Sequence, residues 1–264
     1  MKIAIIGAGN LGLSIATGIL NSGAATTMYL TRRYPEALRE FEAYGNVVTS
    51  SDNRMAVSKS DIIIFAVQPG DFPDVLQSVA DLFSDNHVII STITGFSIGE
   101  IEAITGPERF IIRAMPNTAI SVAHSMTCLC SNEHGKTRLE LAEAIFNRMG
   151  HSMIIPEDRM QAATVICASG IAFWMRLIRA TTQGAIQLGF DAEEAQELAM
   201  HTSRGAAELL IQSGRHPEAE IDRVTTPMGC TIEGLNEMEH QGLSASLIRG
   251  IITSFEKISE IRKG

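Results

Sequence analysis

Two segments of this 264-residue chain carry residue types that bind anions. The first, "KIAIIGAGNLGLSIATGIL", has three closely spaced glycines between a β-branched run and an amphipathic helical pattern. The second, "RVTTPMGCT" from Arg223 to Thr231, places three threonines, a proline and a glycine in a region that otherwise reads as helical. Both segments predict a helix start, and a helix N-terminus offers free backbone amides and a positive potential to an anion.

The first segment is typical of a dinucleotide-binding loop. Gly7 permits a tight turn, Gly9 lets a pyrophosphate approach the backbone, and Gly12 allows close contact between helix and strand. Asn10 and Leu11 would open the helix whose amides face the phosphates. The alternative is a tight strand-to-helix turn without a ligand, but such a turn seldom needs three glycines in this register.

The end of the second predicted strand indicates which dinucleotide binds. A fold that prefers NAD usually has an acidic residue here to hold the ribose 2′-hydroxyl, whereas this chain has Thr31, Arg32 and Arg33. Two guanidinium groups could bind a 2′-phosphate. We therefore expect NADP(H), with NAD(H) as the other cofactor to test. The alternative is that the arginines only solvate the surface.

Three further segments follow predicted strands and contain small or polar residues. They read "FAVQPG" from Phe65, "STITGF" from Ser91 and "RAMPNT" from Arg113. The carboxyl ends of parallel strands lie at one edge of a sheet, where ligands of open α/β folds bind. An ordinary connection explains any one of the three, but together they favour a lined cleft.

The threonine-rich segment predicts a second anion site. Thr226 followed by Pro227 is typical of a helix start, with a hydroxyl cap and a residue that lacks an amide donor. Gly229 would let the backbone approach a carboxylate, and Thr226 and Thr231, on either side of Cys230, would add hydroxyl donors. An ordinary turn between two helices, without a ligand, is the alternative.

The order of the predicted elements indicates an α/β fold with a helical C-terminal part. Eight strands are predicted from "KIAIIG", "TMYLT", "VVT", "DIIIFAV", "HVIISTI", "FIIRAM", "MTCLC" and "SMII". Several are apolar throughout, which favours a Rossmann-type doubly wound, mostly parallel sheet. We expect a dinucleotide-binding domain over residues 1–157 and an all-helical domain for substrate binding and dimerisation over residues 158–264. Its helices are predicted from Met160 to Leu188 and from Asp191 to Gln212, closed by Gly189 and Gly214.

Composition excludes several classes of protein. With 45% hydrophobic and 19% charged residues the chain is not of a disordered or fibrous type, and a net charge of −9 disfavours a nucleic-acid surface. The four cysteines lack paired spacing, and the seven histidines lack a ligand spacing, so we expect neither disulfides nor a metal. The N-terminal apolar run enters the glycine loop and does not predict a signal peptide. A cytoplasmic protein is the expectation.

A long uncharged stretch, "MQAATVICASGIAFWM", lies between Arg159 and Arg176. It is shorter than the roughly 18–20 apolar residues that a membrane span requires, so we predict a buried helix. Trp174 and the neighbouring small residues could pack against a second copy of the chain or inside the same chain. The sequence favours neither alternative.

Taken together, these motifs resemble the pyrroline-5-carboxylate reductase family. The matching segments are "IIGAGNLG", "AVQPG", "IIRAMPNT", the "SG" at residues 169–170, "SGRHPE" and "DRVTTPMGCTIEGLNEME", in the family's order and spacing. The resemblance implies an N-terminal dinucleotide domain and a helical domain that interleaves with a partner subunit. It also implies reduction of 1-pyrroline-5-carboxylate, a cyclic imine, to L-proline with NADPH or NADH.

The same resemblance implies roles for particular residues. Asn53 would approach the adenosine ribose, and Pro116 and Asn117 would lie near the nicotinamide. The threonine-rich loop would hold the substrate carboxylate. The cofactor cleft would be lined by Ala66, Val67, Gln68 and Pro69.

Some positions depart from the family's pattern. Gln68 stands where lysine is common, Met228 replaces a glycine of the threonine-rich loop, and Ile171 replaces a proline. Since one changed polar contact can alter discrimination between small substrates, two alternatives stay open. One is a paralogue that reduces a different imino or keto acid. The other is a catalytically silent relative that binds NADP(H).

Overall fold

One eight-stranded sheet forms the centre of the N-terminal region. The computed structural model describes residues 1–261, with side chains as far as Ile258. The strand order is β3-β2-β1-β4-β5-β6-β7-β8, and every neighbouring pair is parallel except β6 and β7. All eight predicted strands are present, and the mostly parallel, doubly wound sheet is confirmed. The strands are β1 Lys2–Ile6, β2 Thr27–Thr31, β3 Val47–Ser50, β4 Ile62–Phe65, β5 Val88–Ser91, β6 Phe110–Met115, β7 Ser125–Ser131 and β8 Gly150–Ile154.

The central strands are buried on both faces. Every residue of β4 and β5 is buried, which explains why their sequences are apolar except for Ser91 and do not alternate. Ile64 belongs to the hydrophobic cluster on one face, and Ile63 and Phe65 belong to the cluster on the other. Helices cover both faces, namely α1 Asn10–Ser22, α2 Asn53–Ser58, α3 Phe72–Gln77, α4 Ile98–Thr105, α5 Leu139–Phe146 and α6 Met160–Ala163.

The regular secondary structure of the second compact unit is entirely helical. The chain divides into a first unit of residues 1–169, with the described residues from Phe255 onward, and a second unit of residues 170–254. The expected boundary between domains at residues 157 and 158 stays a prediction. The last three residues of the expected second domain, 262–264, lie outside the described residues. The helices are α7 Gly170–Gln187, α8 Ala192–Ser213, α9 Pro217–Val224, α10 Cys230–His240 and α11 Leu243–Ile261, the last shared between the units.

Capping residues end the helices much as the sequence predicts. Asp191 accepts hydrogen bonds from the backbone N–H groups of Glu193 and Glu194, which fixes the start of α8. Gly214 ends this helix in the left-handed region at φ 61°. The predicted helix from residue 160 is interrupted by a π-helical segment, Thr164–Ser169, which the sequence pattern does not show.

The prediction that the uncharged stretch forms a buried helix holds for only part of it, which includes the buried Val165. Ile166 and Met175 are exposed, and the Trp174 side chain is 64% exposed. By length and composition alone, the helical run Glu157–Gln187 could cross a membrane, although only 17% of its most apolar window is buried. An apolar pattern of this kind also occurs on a helix face that a second copy of the chain covers, the alternative that the sequence left open.

A buried ion pair joins the sheet to the segment that follows it. Arg113 lies on β6 with its side chain 6% exposed, and its Nη1 contacts Glu157 Oε1 at 3.0 Å. The same carboxylate oxygen accepts a hydrogen bond from the Ile98 N–H at 2.6 Å, at the start of α4. Arg113 Nε is buried without a hydrogen-bond partner among the described residues. The guanidinium charge therefore depends on Glu157 for its compensation.

We expect Glu157→Gln to lower the free energy of unfolding by about 2–3 kcal/mol, because the buried Arg113 guanidinium loses its counter-charge. The value is below that for a fully buried pair because Glu157 itself is 36% exposed. The glutamine side-chain oxygen can still accept the hydrogen bond from the Ile98 N–H. The substitution therefore removes the negative charge but keeps this hydrogen bond. Urea unfolding measures the difference.

The matched control is Glu133→Gln, which removes an exposed contact to Lys136. This variant should leave the free energy of unfolding close to that of the wild-type protein, because exposed ion pairs contribute little. Equal effects of the two substitutions would contradict the assignment of Arg113 and Glu157 as a stabilising pair.

Candidate functional site

The glycine loop after β1 is held between the ends of two neighbouring strands. The N–H groups of Gly7 and Ala8 donate to the Thr31 carbonyl oxygen at the end of β2, at 3.2 and 2.8 Å. Gly7 has φ +97°, and a Cβ atom there would lie 2.8 Å from the Val67 backbone nitrogen, just after β4. A side chain at Gly12 would collide with the Gly7 carbonyl oxygen. Neither glycine position can accommodate a larger residue without moving backbone.

The loop opens onto a cavity of about 480 Å³. No atom lies within 4 Å of a Cβ placed on Gly9, which caps α1 without a side-chain hydrogen bond. A ligand could therefore approach the backbone amides at this helix start. The cavity is lined by Gly9, Asn10, Leu11, Arg32, Ala66, Val67, Gln68 and Pro69, all predicted from the sequence, and by Thr92, Ile93 and Thr94.

Thr92 to Thr94 are the lining residues that were not predicted individually. They follow β5 in the segment "STITGF", which the sequence marks only as part of a cleft edge. The Thr92 hydroxyl donates to the Phe65 carbonyl oxygen at 2.8 Å and joins the ends of β4 and β5. The paired strand ends explain why residues so far apart in sequence border one cavity.

The two predicted arginines occupy different positions. Arg32 lines the cavity, and its N–H donates to the Ser50 carbonyl oxygen at 3.1 Å. Arg33 is exposed, and its Nη2 lies 3.9 Å from Asp71 Oδ2. Thr31 is buried, so its hydroxyl does not face the cavity. Asn53 begins α2, directly after the Asp52 cap that follows β3.

The end of β6 carries Pro116 and Asn117, both buried. The Asn117 side-chain oxygen accepts from the Ala119 N–H at 2.9 Å, and its Nδ2 donates to the Cys167 carbonyl oxygen at 3.0 Å. The Asn117 N–H donates to the Ser125 hydroxyl at 3.1 Å. Asn117 thus fixes the loop after β6 and contacts the π-helical segment. Its role toward the nicotinamide stays a prediction.

A second cavity of about 360 Å³ adjoins the first, and Thr94 lines both. Its wall contains the Arg113–Glu157 ion pair described above, together with Ser97 and Thr164. Sequence reasoning missed this pair. The arginine within the apolar run "FIIRAM" signals that a partner must exist, but nothing in the pattern identifies a glutamate 44 positions later.

The threonine-rich loop of the second unit departs from the predicted helix start. The helix α10 begins at Cys230 with Gly229 as its cap, not at Pro227. The prediction that Thr226 caps the helix is therefore wrong, because Thr226 to Gly229 form a turn closed by the Gly229 N–H, which donates to the Thr226 carbonyl oxygen at 2.9 Å. Thr231 is the second residue of the helix.

The turn leaves little space beside Gly229. A Cβ atom at this position would touch the Thr226 hydroxyl and lie 2.9 Å from the Thr226 carbonyl oxygen. Met228 has φ +59°, a backbone conformation that favours glycine, and its side chain is 97% exposed. Thr226, Cys230 and Thr231 are also exposed. The loop thus presents a helix N-terminus and two threonine hydroxyls to the solvent.

Two family models match successive parts of the chain. Residues 2–95 match the model described as NADP oxidoreductase, coenzyme F420-dependent. Residues 157–261 match the model described as pyrroline-5-carboxylate reductase dimerisation. The first match lies within the region expected to bind the dinucleotide, and the second spans most of the region expected to bind substrate and to dimerise.

Individual proteins are similar to the whole chain. Pyrroline-5-carboxylate reductase 1 and 2 of Dictyostelium discoideum are each 42% identical, with 98% of this chain aligned. The chain spans 49% of the length of the first relative and 92% of the second. A solved structure of Plasmodium falciparum pyrroline carboxylate reductase with NADP bound aligns with 99% of this chain and 98% of its own chain. The TM-score is 0.90 and the identity is 24%, which shows a similar fold.

Identity at this level over nearly the full length of a relative shows common family membership. The fold, the glycine-loop cavity and the threonine-rich loop are all consistent with it. The chain belongs to the pyrroline-5-carboxylate reductase family.

Proposed function

We propose that the protein reduces 1-pyrroline-5-carboxylate to L-proline with NADP(H), as a cytoplasmic enzyme of proline biosynthesis. The observation that carries the proposal is the cavity at the glycine loop, with Arg32 at the position where a fold that prefers NAD has an acid. The names of the relatives and the family models support the reaction and the cofactor.

The cavity fits a dinucleotide by its shape and by its donors. Open space over Gly9 would accommodate the pyrophosphate against the amides of α1, and Arg32 would contact the 2′-phosphate. Ala66 to Pro69 would line the path toward the nicotinamide, and Asn53 would approach the adenosine ribose. NADPH, when bound, supplies the hydride.

The protein itself would align the substrate with the nicotinamide and would bind the negative charge of the substrate carboxylate. The threonine-rich loop would bind the substrate carboxylate through the amides at the start of α10 and through the hydroxyls of Thr226 and Thr231. Gly229 and Cys230 would provide the close backbone approach. If the imine nitrogen enters protonated, its carbon is already electrophilic, and hydride addition neutralises it without a separate acid. Positioning of the two reactants can lower the barrier by several kcal/mol.

We propose further that the active protein is a homo-oligomer built on an interleaved dimer. Residues 1–157 would form the cofactor domain, and residues 158–264 the substrate-binding and dimerisation domain. The exposed apolar side chains of the second unit support a covering partner, among them Trp174, Leu188, Leu209 and Ile211. The match of residues 157–261 to a dimerisation model supports the same proposal. A membrane-spanning role for Glu157–Gln187 is the competing explanation of the exposure.

The experiment that tests the reaction follows NADPH absorbance with purified protein and 1-pyrroline-5-carboxylate, then with a six-membered cyclic imine. Rapid oxidation with the five-membered ring is the expected result. Turnover restricted to another imine would identify a paralogue, for which Gln68 and Met228 leave room. Tight NADPH binding without any turnover would identify a silent relative.

Arg32 provides the test of cofactor choice. We expect Arg32→Ala to raise the KM for NADPH by about 10- to 100-fold, because a charge-assisted contact to the 2′-phosphate is lost. The KM for NADH should change by less than about twofold, since NADH has no 2′-phosphate. Steady-state kinetics with both cofactors measure the two effects.

Arg33→Ala is the matched control for Arg32, because Arg33 is exposed and does not line the cavity. It should raise the KM for NADPH by less than about threefold. An equal loss with both cofactors in the Arg32 variant would show general damage to the site and contradict the assigned contact.

Gly229 provides the test of the carboxylate loop. Gly229→Ala forces a Cβ against Thr226 and should raise the KM for the imine at least about tenfold, with the KM for NADPH within about twofold. Gly234→Ala is the control, because Gly234 lies within α10, the helix that Gly229 caps, and no atom lies within 4 Å of its Cβ position. Equal changes in both KM values for the Gly229 variant would count against carboxylate binding at this loop.

A further inference from the structure

Two cysteines of the first unit lie side by side outside the cofactor cavity. Cys128 Sγ on β7 is 3.8 Å from Cys167 Sγ in the π-helical segment. Cys128 is buried, whereas Cys167 is only half-buried and so has some access to solvent. The sulfur atoms need to approach by about 1.8 Å to reach a bonded length of about 2.05 Å, a movement that side-chain rotation and a small shift of a helical turn can supply.

The two positions differ in how firmly they are held. Cys128 pairs with Met115 on β6 and with Met153 on β8, inside the hydrogen-bonded sheet. Cys167 belongs to a π-helical turn, an irregularity that is frequent at functional sites. Its carbonyl oxygen is the acceptor for Asn117 Nδ2 at 3.0 Å. A covalent link would therefore fasten the π-helical turn to a strand inside the sheet, next to the loop that carries Asn117.

We propose that a hydroperoxide oxidises Cys128 and Cys167 to an intrachain disulfide, which locks the π-helical turn onto the sheet. The Cys167 thiolate attacks the distal oxygen of the hydroperoxide, the O–O bond breaks, and an alcohol leaves with a proton. Cys128 then attacks the sulfur of the resulting sulfenic acid, and water leaves. Two thiols lose one electron each, and the hydroperoxide is reduced to an alcohol and water.

The order of attack follows from the surroundings of the two thiols. The hydrogen bond from Cys128 lowers the pKa of Cys167 to about 7, against the opposing effect of burial. The same hydrogen bond, together with burial, raises the pKa of Cys128. Cys167 is also the more exposed of the two thiols, so it is the nucleophile that reacts first, and the buried Cys128 is the partner that resolves the sulfenic acid.

The other two cysteines, Cys130 and Cys230, serve as comparisons for the oxidation of Cys128 and Cys167. Cys130 lies two residues along β7 from Cys128, and burial raises its pKa to about 11. Cys230 is exposed in the second unit, at the start of α10. Cys130 should stay reduced, whereas Cys230 is the position at which oxidation without an intrachain partner would occur.

The test treats the full-length protein with hydrogen peroxide and maps its thiols by mass spectrometry. We expect a peptide crosslink between Cys128 and Cys167, a loss of two hydrogens per link and reversal by dithiothreitol. Hydrogen exchange of the amides at residues 164–169 should slow at least about tenfold in the oxidised protein, because the turn can no longer open. Neither readout depends on the proposed reductase activity.

Three variants complete the experiment. Cys130→Ser should form the crosslink at the wild-type rate. Cys128→Ser should form none and should accumulate a Cys167 sulfenic acid that a dimedone probe traps, and Cys167→Ser should form neither product. Loss of the crosslink in Cys130→Ser, oxidation confined to Cys230, or a crosslink with unchanged amide exchange would each overturn the proposal.

Discussion

The close approach of two backbone segments at Gly7 is the constraint on which the cavity at the glycine loop depends. The chain turns here in the left-handed region, against Val67 and beneath the Thr31 carbonyl oxygen. The contact aligns the ends of β1, β2 and β4, and the α1 amides consequently face the cavity. A single Cβ at Gly7 would separate these elements, and Arg32 would move with the end of β2.

A similar physical solution recurs in the second unit, with different residues. At the threonine-rich loop the N–H of Gly229 closes a turn onto Thr226, and α10 starts at the next residue. Both loops thus place a glycine at the start of a helix, and a helix N-terminus favours an anion. In the proposed function the first would hold the pyrophosphate and the second the carboxylate. Met228 occupies a left-handed position that glycine adopts at lower cost, at one of the positions where the chain departs from its family's pattern.

The sequence predicts those features that depend on local chemistry. Apolar β-branched runs identify all eight strands, and Asp191 and Gly214 mark the ends of α8, because strand burial and helix capping leave signatures within a few residues. The glycine spacing likewise identifies the cavity at the end of β1. Each of these patterns can be recognised from residues that are close together in the sequence.

Features that depend on long-range contacts are not predictable in this way. The partner of Arg113 and the neighbour of Cys128 come from segments 44 and 39 positions away. The start of α10 was misplaced because Thr226 and Pro227 form a turn with the same residue preferences as a helix cap. The uncharged stretch was expected to be buried because apolar periodicity does not distinguish a core from an interface.

Transfer of deuterium tests the central claim most directly. NADPH labelled with deuterium at C4 of the nicotinamide would be incubated with the protein and 1-pyrroline-5-carboxylate, and the product analysed by mass spectrometry. The account predicts proline heavier by about 1 Da from one of the two C4-labelled forms, with deuterium on the former imine carbon, because one face of the ring is presented to the substrate. Unlabelled proline from both forms, or no proline, would contradict it.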